Sequence, residues 1–140
     1  MFILDTDHIS LFERNHPQIV ARVVTTPPVE LATTVITLEE QLRGRLDRVR
    51  RARSDEAIVR AYRNLRVTAL YFQTITVIGF DEIAQRLFKT LRTQKIRIGT
   101  QDLRIAAIAL SREAILVTRN RQDFEAIPGL KIEDWSLPMA

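Results

Sequence analysis

The sequence predicts an α/β fold, a three-layer sandwich of helices around a central, mostly parallel sheet of about five strands. Short apolar runs alternate with longer stretches of helical periodicity along the whole chain. The runs are continuously apolar rather than alternating, as strands buried on both faces are. The 140 residues contain no repeat, low-complexity stretch or linker, which predicts one domain over 1–140.

Each element has a local reason. Phe2-Ile3-Leu4 runs directly into Asp5 and is the first strand. Pro17 and the pair Pro27-Pro28 punctuate the connection after it. Thr33–Ile36 is β-branched throughout and makes the second strand. Ser54, followed by Asp55 and Glu56, opens a helix with Ile58, Tyr62, Leu65, Ala69 and Phe72 along one stripe. Thr74–Phe80 is the third strand, and Asp81 caps a helix facing inward through Ile83, Leu87, Phe88 and Leu91. Thr100 precedes another helix, whose apolar face is Leu103, Ala106, Ala107 and Leu110. Ala114–Thr118 is the fourth strand, Asn120 an N-cap with Asp123 three residues on, and Leu130–Glu133 a short fifth strand.

Composition narrows the chemistry. With 46% hydrophobic and 27% charged residues, the 16.2 kDa chain has the makings of an ordinary globule. The absence of Cys excludes disulfide scaffolds, Cys-ligated zinc, iron–sulfur clusters and thiol catalysis. The longest apolar run, Ile105–Leu110, has six residues, far short of the roughly 20 that span a bilayer. Met1-Phe2-Ile3-Leu4-Asp5 lacks the basic start of a signal peptide, so a cytoplasmic protein without membrane partners is expected.

The charge is unevenly placed. There are 18 Arg against 3 Lys, and nine of the Arg lie between Arg43 and Arg66 beside only Asp47, Asp55 and Glu56. That local excess of six positive charges outweighs the net +4, so the rest of the chain is slightly acidic. Guanidinium forks match phosphate geometry, which suggests a phosphodiester partner; the plainer reading is a solvated helical face.

The acids are the informative feature. Asp5 ends the first strand, where parallel sheets bind ligands, although Asp5 or Asp7 would equally serve as a helix cap. Glu40 follows the second strand, and Thr37-x-x-Glu40 has capping-box spacing. Gly44, one turn on, leaves space over the same face at a helix-propensity cost of about 1 kcal/mol. Spacing alone does not choose between Glu39 and Glu40. Asp102 lies in the first turn of its helix with Ala106 and Ala109 stacked below, and Asp123 follows the fourth strand. Two carboxylates about 4 Å apart repel by roughly 4 kcal/mol at an effective dielectric of 20. Such a group needs a proton or a cation, and an all-oxygen set points to Mg²⁺ or Mn²⁺ rather than zinc. His8 and His16 read as polar residues of helical regions, not as ligands, and no motif supports a Ser–His–Asp triad.

Leu4-Asp5-Thr6-Asp7, the Thr37–Gly44 stretch with Glu40, Ile98–Ala107 around Asp102, Val117–Phe124 around Asp123, and Ile127-Pro128-Gly129-Leu130 with Trp135 together resemble the PIN-domain ribonucleases. Their order and spacing span nearly the whole chain and are similar to the VapC toxins of type II toxin–antitoxin pairs. The resemblance implies a metal-dependent endoribonuclease with Asp5, Glu40, Asp102 and Asp123 as its catalytic acids and Asp5 and Asp102 as metal ligands. Asn120 stands where the family carries its fourth acid, and the resemblance leaves open whether Asn120 or Asp123 fills that position. It also implies an RNA substrate, a homodimer, a cognate antitoxin, and a helical insertion over about 38–73 carrying the arginines.

Three rival readings explain less. Asp5-Thr6-Asp7 resembles the opening of the haloacid-dehalogenase-like phosphatases, and a phospho-receiver domain also places acids at strand ends. Both need a late lysine; Lys89 and Lys95 lie in a helical pattern and Thr118-Arg119 supplies none. A non-catalytic RNA-binding module explains the arginines but not the acids, which repel phosphate unless a cation intervenes, and nine aromatics make a poor stacking platform.

Overall fold

The computed structural model describes residues 1–138. In chain order the elements are β1 (Phe2–Leu4), α1 (Thr6–Glu13), α2 (Pro17–Thr25), a 3₁₀ turn (Pro28–Glu30), β2 (Leu31–Thr34), α3 (Val35–Arg51) and α4 (Asp55–Tyr71). There follow β3 (Thr76–Ile78), α5 (Glu82–Thr93), α6 (Thr100–Ser111), β4 (Ile115–Val117), α7 (Arg121–Phe124) and β5 (Lys131–Glu133). The five strands form one sheet in the order β3-β2-β1-β4-β5, every neighbouring pair parallel. From β1 the chain first builds outward through β2 and β3, then returns to lay β4 and β5 on the other side. That reversal makes the carboxyl end of β1 the switch point, where side chains from both halves of the sheet meet in a crevice.

Both faces of the sheet are buried, as the continuous apolar runs require. Ile3, Ala32, Ile78 and Leu116 pack on one side against Ala84 and Phe88 of α5 and the buried stretch Ile105–Ala109 of α6. Leu4, Leu31 and Val117 point to the other side, onto Ile9, Ile19, Phe72 and Trp135. Trp135 is sealed there by Phe2, with ring centroids 5.1 Å apart, and by the Arg22 guanidinium 4.7 Å above its ring. Among the described residues no helix is long and apolar enough to cross a membrane.

Several elements differ from their sequence patterns, among them α5, where Ile83 is 52% exposed while Ala84, Phe88 and Leu91 face the core. The second strand covers Leu31–Thr34, and Val35 and Ile36 belong to α3 despite their β-branching. The reason is a cap: Thr34 Oγ1 accepts a hydrogen bond from Thr37 N at 3.1 Å, starting the helix three residues earlier than a cap at Thr37 would. On α4, Ile58 and Tyr62 are 37% and 56% exposed, and the face turned inward is that of Ala61 and Thr68. Small side chains at those positions let α3 lie close, and Arg45 of α3 reaches across to donate from Nε to Thr68 Oγ1 at 2.9 Å. Thr100 is the first residue of α6, and Gly99 is its cap, without a side-chain hydrogen bond.

Two of the expected caps are present. Asp81 Oδ1 accepts from Ala84 N at 2.9 Å, and Ser54 Oγ accepts from Ala57 N at 3.1 Å. Ser54→Ala should destabilise the protein by about 1 kcal/mol, read as a lower urea midpoint at unchanged m-value. No shift in the midpoint would mean that packing against α3, not its cap, holds the start of α4.

Candidate active site

The register of β1 against β4 builds the centre of the site. Leu4 pairs with Val117, so the next residues, Asp5 and Thr118, leave the sheet side by side. Thr118 Oγ1 donates to Asp5 Oδ2 at 2.8 Å, and Thr6 N donates to Asp5 Oδ1 at 2.8 Å. Asp5 is thus also the N-cap residue of α1, but it reaches only the first helical amide rather than the second or third. Both of its oxygens are engaged and the residue is buried.

Thr6 carries the connection to α3. Its hydroxyl lies 3.1 Å from Glu40 Oε2, to which it donates, and 3.2 Å from Thr37 Oγ1. With Thr34 supplying the helix cap, the capping box expected between Thr37 and Glu40 is not formed, and Glu40 turns toward β1. Glu39 points elsewhere: it accepts from Gln101 Nε2 at 2.7 Å and from Arg43 at 2.9 Å, at the exposed rim. Tertiary contact therefore separates the two glutamates that spacing left equal.

Asp102 enters from the first turn of α6 and is half-buried. Asp123 lies on α7, where its Oδ2 accepts from Asn120 Nδ2 at 3.1 Å. Asn120 ends the turn after β4 but makes no side-chain cap; it orients Asp123 instead. The four acids interact. Burial, and then the charge of Asp7, with a smaller contribution from Asp102, hold the Asp5 carboxyl up at about 7 from an ordinary 3.8. Burial also raises Glu40, with Asp102 and Glu39 adding to the push against the Thr6 hydrogen bond. Asp102 is raised by burial and by Asp123 and Asp7. Asp102 is the group through which the others feel one another. They are not a finished cage, however: among the described residues no three His, Asp or Glu side chains stand close enough together to hold an ion.

Two more residues complete the site, Thr118, which sequence reasoning passed over, and Asp7, which it offered only as a helix cap. Thr118, just beyond the apolar run of β4, is the hydroxyl that pins Asp5; its signal was a polar residue closing the strand beside β1. Asp7 accepts from Arg119 N at 3.0 Å and from Thr118 Oγ1 at 3.4 Å, fixing the turn after β4. Nor is His8 a surface residue of its helix: it is fully buried, with Nδ1 2.7 Å from Asp7 Oδ1 and Nε2 accepting from Trp135 N at 3.1 Å. Since Nε2 accepts, Nδ1 is the donor to Asp7, and the imidazole ties the C-terminal segment to the site.

The arginine-rich segment flanks the acids as the antiparallel pair α3 and α4. Several of its guanidinium groups are occupied within the fold: Arg43 by Glu39, Arg51 by Asp47 at 3.2 Å, and Arg45 by Thr68 and by Glu13 at 3.5 Å.

No protein-family model matches the chain. It is 32% identical over 140 residues to Ribonuclease VapC1 of Haemophilus influenzae (strain R2866), covering 97% of this chain and 98% of that one. It is 30% identical over 138 residues to the tRNA(fMet)-specific endonuclease VapC of Salmonella typhimurium, covering 96% and 97%. Among solved structures, DNA-bound VapBC from Salmonella typhimurium superimposes with a TM-score of 0.79 at 31% identity, over 96% of this chain and 97% of that one. The sheet order, the acids gathered at its switch point and this full-length similarity agree: the chain belongs to the VapC family of PIN-domain ribonucleases.

Proposed function

We propose that the protein is a divalent-metal-dependent endoribonuclease, the toxin of a toxin–antitoxin pair, with Asp5, Glu40, Asp102 and Asp123 as its working acids. The observation that carries the reading is Asp5: a carboxyl buried at the sheet's switch point, facing other acids, and pushed up to about 7 by that burial and by their charge. The donor set suits magnesium or manganese, being all oxygen. Magnesium keeps several of its waters and takes one or two carboxylates directly, so acids looser than a three-ligand cage are compatible with it. Asp5 and Asp102 would hold the ion. When bound, it supplies charge neutralisation at the phosphate and a lowered pKa for a coordinated water.

The chain's own groups do the rest. Thr118 and the Thr6 amide fix both oxygens of Asp5, so this carboxylate needs no reorganisation when the substrate arrives. Glu40, raised by burial and steadied by the Thr6 hydroxyl, takes the proton of the attacking water. One P–O bond forms to that water and the bond to the leaving ribose oxygen breaks, that oxygen taking a proton from solvent. The Asn120 amide keeps Asp123 turned toward Asp102. Arginines of α3 and α4 draw in the RNA backbone. An antitoxin that silences the site and a homodimeric toxin complete the proposal, supported by the family.

The test is direct. Purified protein with Mg²⁺ should cut total RNA at mappable internal positions and release no phosphate from a phosphomonoester. Phosphomonoester turnover without RNA cleavage would refute the reading. The arginine segment has its own test: Arg50, Arg51 and Arg53 together changed to Ala should weaken RNA binding and flatten its salt dependence. Each lost phosphate contact should change the log–log slope by about 0.7 for single strands. An unchanged slope would assign these arginines to a solvated face or a protein partner.

A further inference from the structure

Gly44 sits in the middle of α3, one turn beyond Glu40, and nothing among the described residues requires a glycine there. A Cβ built at Gly44 meets no atom within 4 Å, and the backbone φ is not positive. Alanine would fit and would favour the helix, so packing among the described residues does not account for the glycine, whereas a ligand lying close over the helix would. Two hollows meet at this point. One, of about 410 Å³, lies between α1 and α3 and is lined by Ser10, Arg14, Gln41 and Arg48 as well as Glu40 and Gly44. The other, of about 860 Å³, lies on the far side of α3 beside Arg43 and Arg50 and shares Glu40 and Gly44 with the first. Each is of a size that holds a nucleotide-scale ligand.

The charges in the smaller hollow favour an anion. Glu13 also lines it but is paired with Arg45, which is anchored to Thr68. Glu40 is turned to Thr6 and the acid cluster. Arg14 and Arg48 make no ion pair among the described residues, and Gln41 donates its amide to Ser10 Oγ at 3.1 Å on the same wall. We infer that the hollow between α1 and α3 is a subsite for an RNA phosphate neighbouring the one that is cut, held by Arg14 and Arg48, with the strand crossing α3 over the bare backbone of Gly44. This rests on the endoribonuclease reading and adds to it the path of the substrate. Guanidinium groups recognise a phosphodiester by two parallel N–H···O bonds, and a side chain at position 44 would stand between the strand and that fork.

The experiment compares parent, Gly44→Gln and the double variant Arg14→Ala/Arg48→Ala on a twelve-nucleotide RNA and on a dinucleotide containing the same cut. Thermal unfolding checks folding first; Gly44→Gln should melt no lower than the parent, because glutamine is the better helix former. Both variants should raise KM on the twelve-nucleotide RNA by roughly tenfold or more, the scale of a lost charged hydrogen bond. The loss on the dinucleotide should be smaller, because it has no neighbouring phosphate to place. Equal losses on both lengths, or no loss on either, overturn the subsite. If an unchanged KM comes with altered sedimentation of Gly44→Gln, a second copy of the chain and not RNA covers the glycine. A parent that cleaves neither RNA refutes the endoribonuclease reading itself, a different result from a subsite that fails.

Discussion

Asp5→Asn should lower RNA cleavage by about a thousandfold or more while leaving the metal-free protein at least as stable as the parent. The loss follows from the several kcal/mol of charge stabilisation that a well-held metal contributes to phosphoryl chemistry, each 1.36 kcal/mol being tenfold in rate. The gain in stability follows from the proton on Asp5. Its carboxyl titrates at about 7 in the fold against an ordinary 3.8, so between these values the native state keeps a proton that the unfolded chain has lost. This contribution is fully present below about pH 4 and is lost as the pH rises through 7. At pH 8 the parent carries the whole strain of an ionised, buried Asp5 and the Asn variant carries none. Asparagine has only one acceptor oxygen for Thr6 N and Thr118 Oγ1, which returns part of the difference. A net gain of about 1 to 2 kcal/mol at pH 8, vanishing near pH 4, is expected. Thermal unfolding in EDTA beside RNA cleavage in Mg²⁺ reads both effects on the same two proteins. If Asp5 serves only as the cap of α1, Asn caps as well and cleavage continues at the parent rate, which would sink the metal-site assignment.

Removing divalent metal should abolish RNA cleavage and leave the chain folded. Every strand is paired and both faces of the sheet are packed without any help from the acids. Adding Mg²⁺ at 100 times its dissociation constant should then stabilise the protein by about 2.7 kcal/mol through mass action alone. The pH sets where this appears. Ligation needs the ionised carboxylate, and protons compete for Asp5 below about 7, so the increment in melting temperature should be largest near pH 8 and fade toward pH 5. It should also disappear in Asp5→Asn. Cleavage by metal-stripped protein in EDTA would overturn the mechanism; a Mg²⁺ increment equal at pH 5 and pH 8 would place the ion away from Asp5.

Val35 and Ile36 are intrinsically strand residues, and continuing the second strand through them was the natural reading. In the structure they begin a helix because Thr34 caps it and because Ile36 is buried against the sheet, so burial outweighs a propensity difference of a few tenths of a kcal/mol. The stripe on α4 is buried only in part, at Phe72, for a related reason. Helical spacing identifies a face but not which neighbour covers it, and α3 covers the face of Ala61 and Thr68, leaving Ile58 and Tyr62 exposed.

The sequence by itself determined the parallel α/β class, because continuous apolar runs separated by helical stretches bury strands on both faces only in that arrangement. It also determined that Asp5, Glu40, Asp102 and Asp123 begin or follow elements at one end of the sheet, since strand direction in a parallel sheet is common to all. Which of those acids face one another was decided by tertiary structure alone. The Leu4–Val117 register puts Thr118 against Asp5, the cap at Thr34 frees Glu40 to meet Thr6, and Glu39 is drawn off to Gln101 and Arg43. The raised carboxyl of Asp5 arises mostly the same way. Asp7, two residues away, supplies a charge that local sequence already places, but the burial that contributes most is made by elements that only folding packs around Asp5, and Asp102, more than 90 residues distant, adds a smaller push.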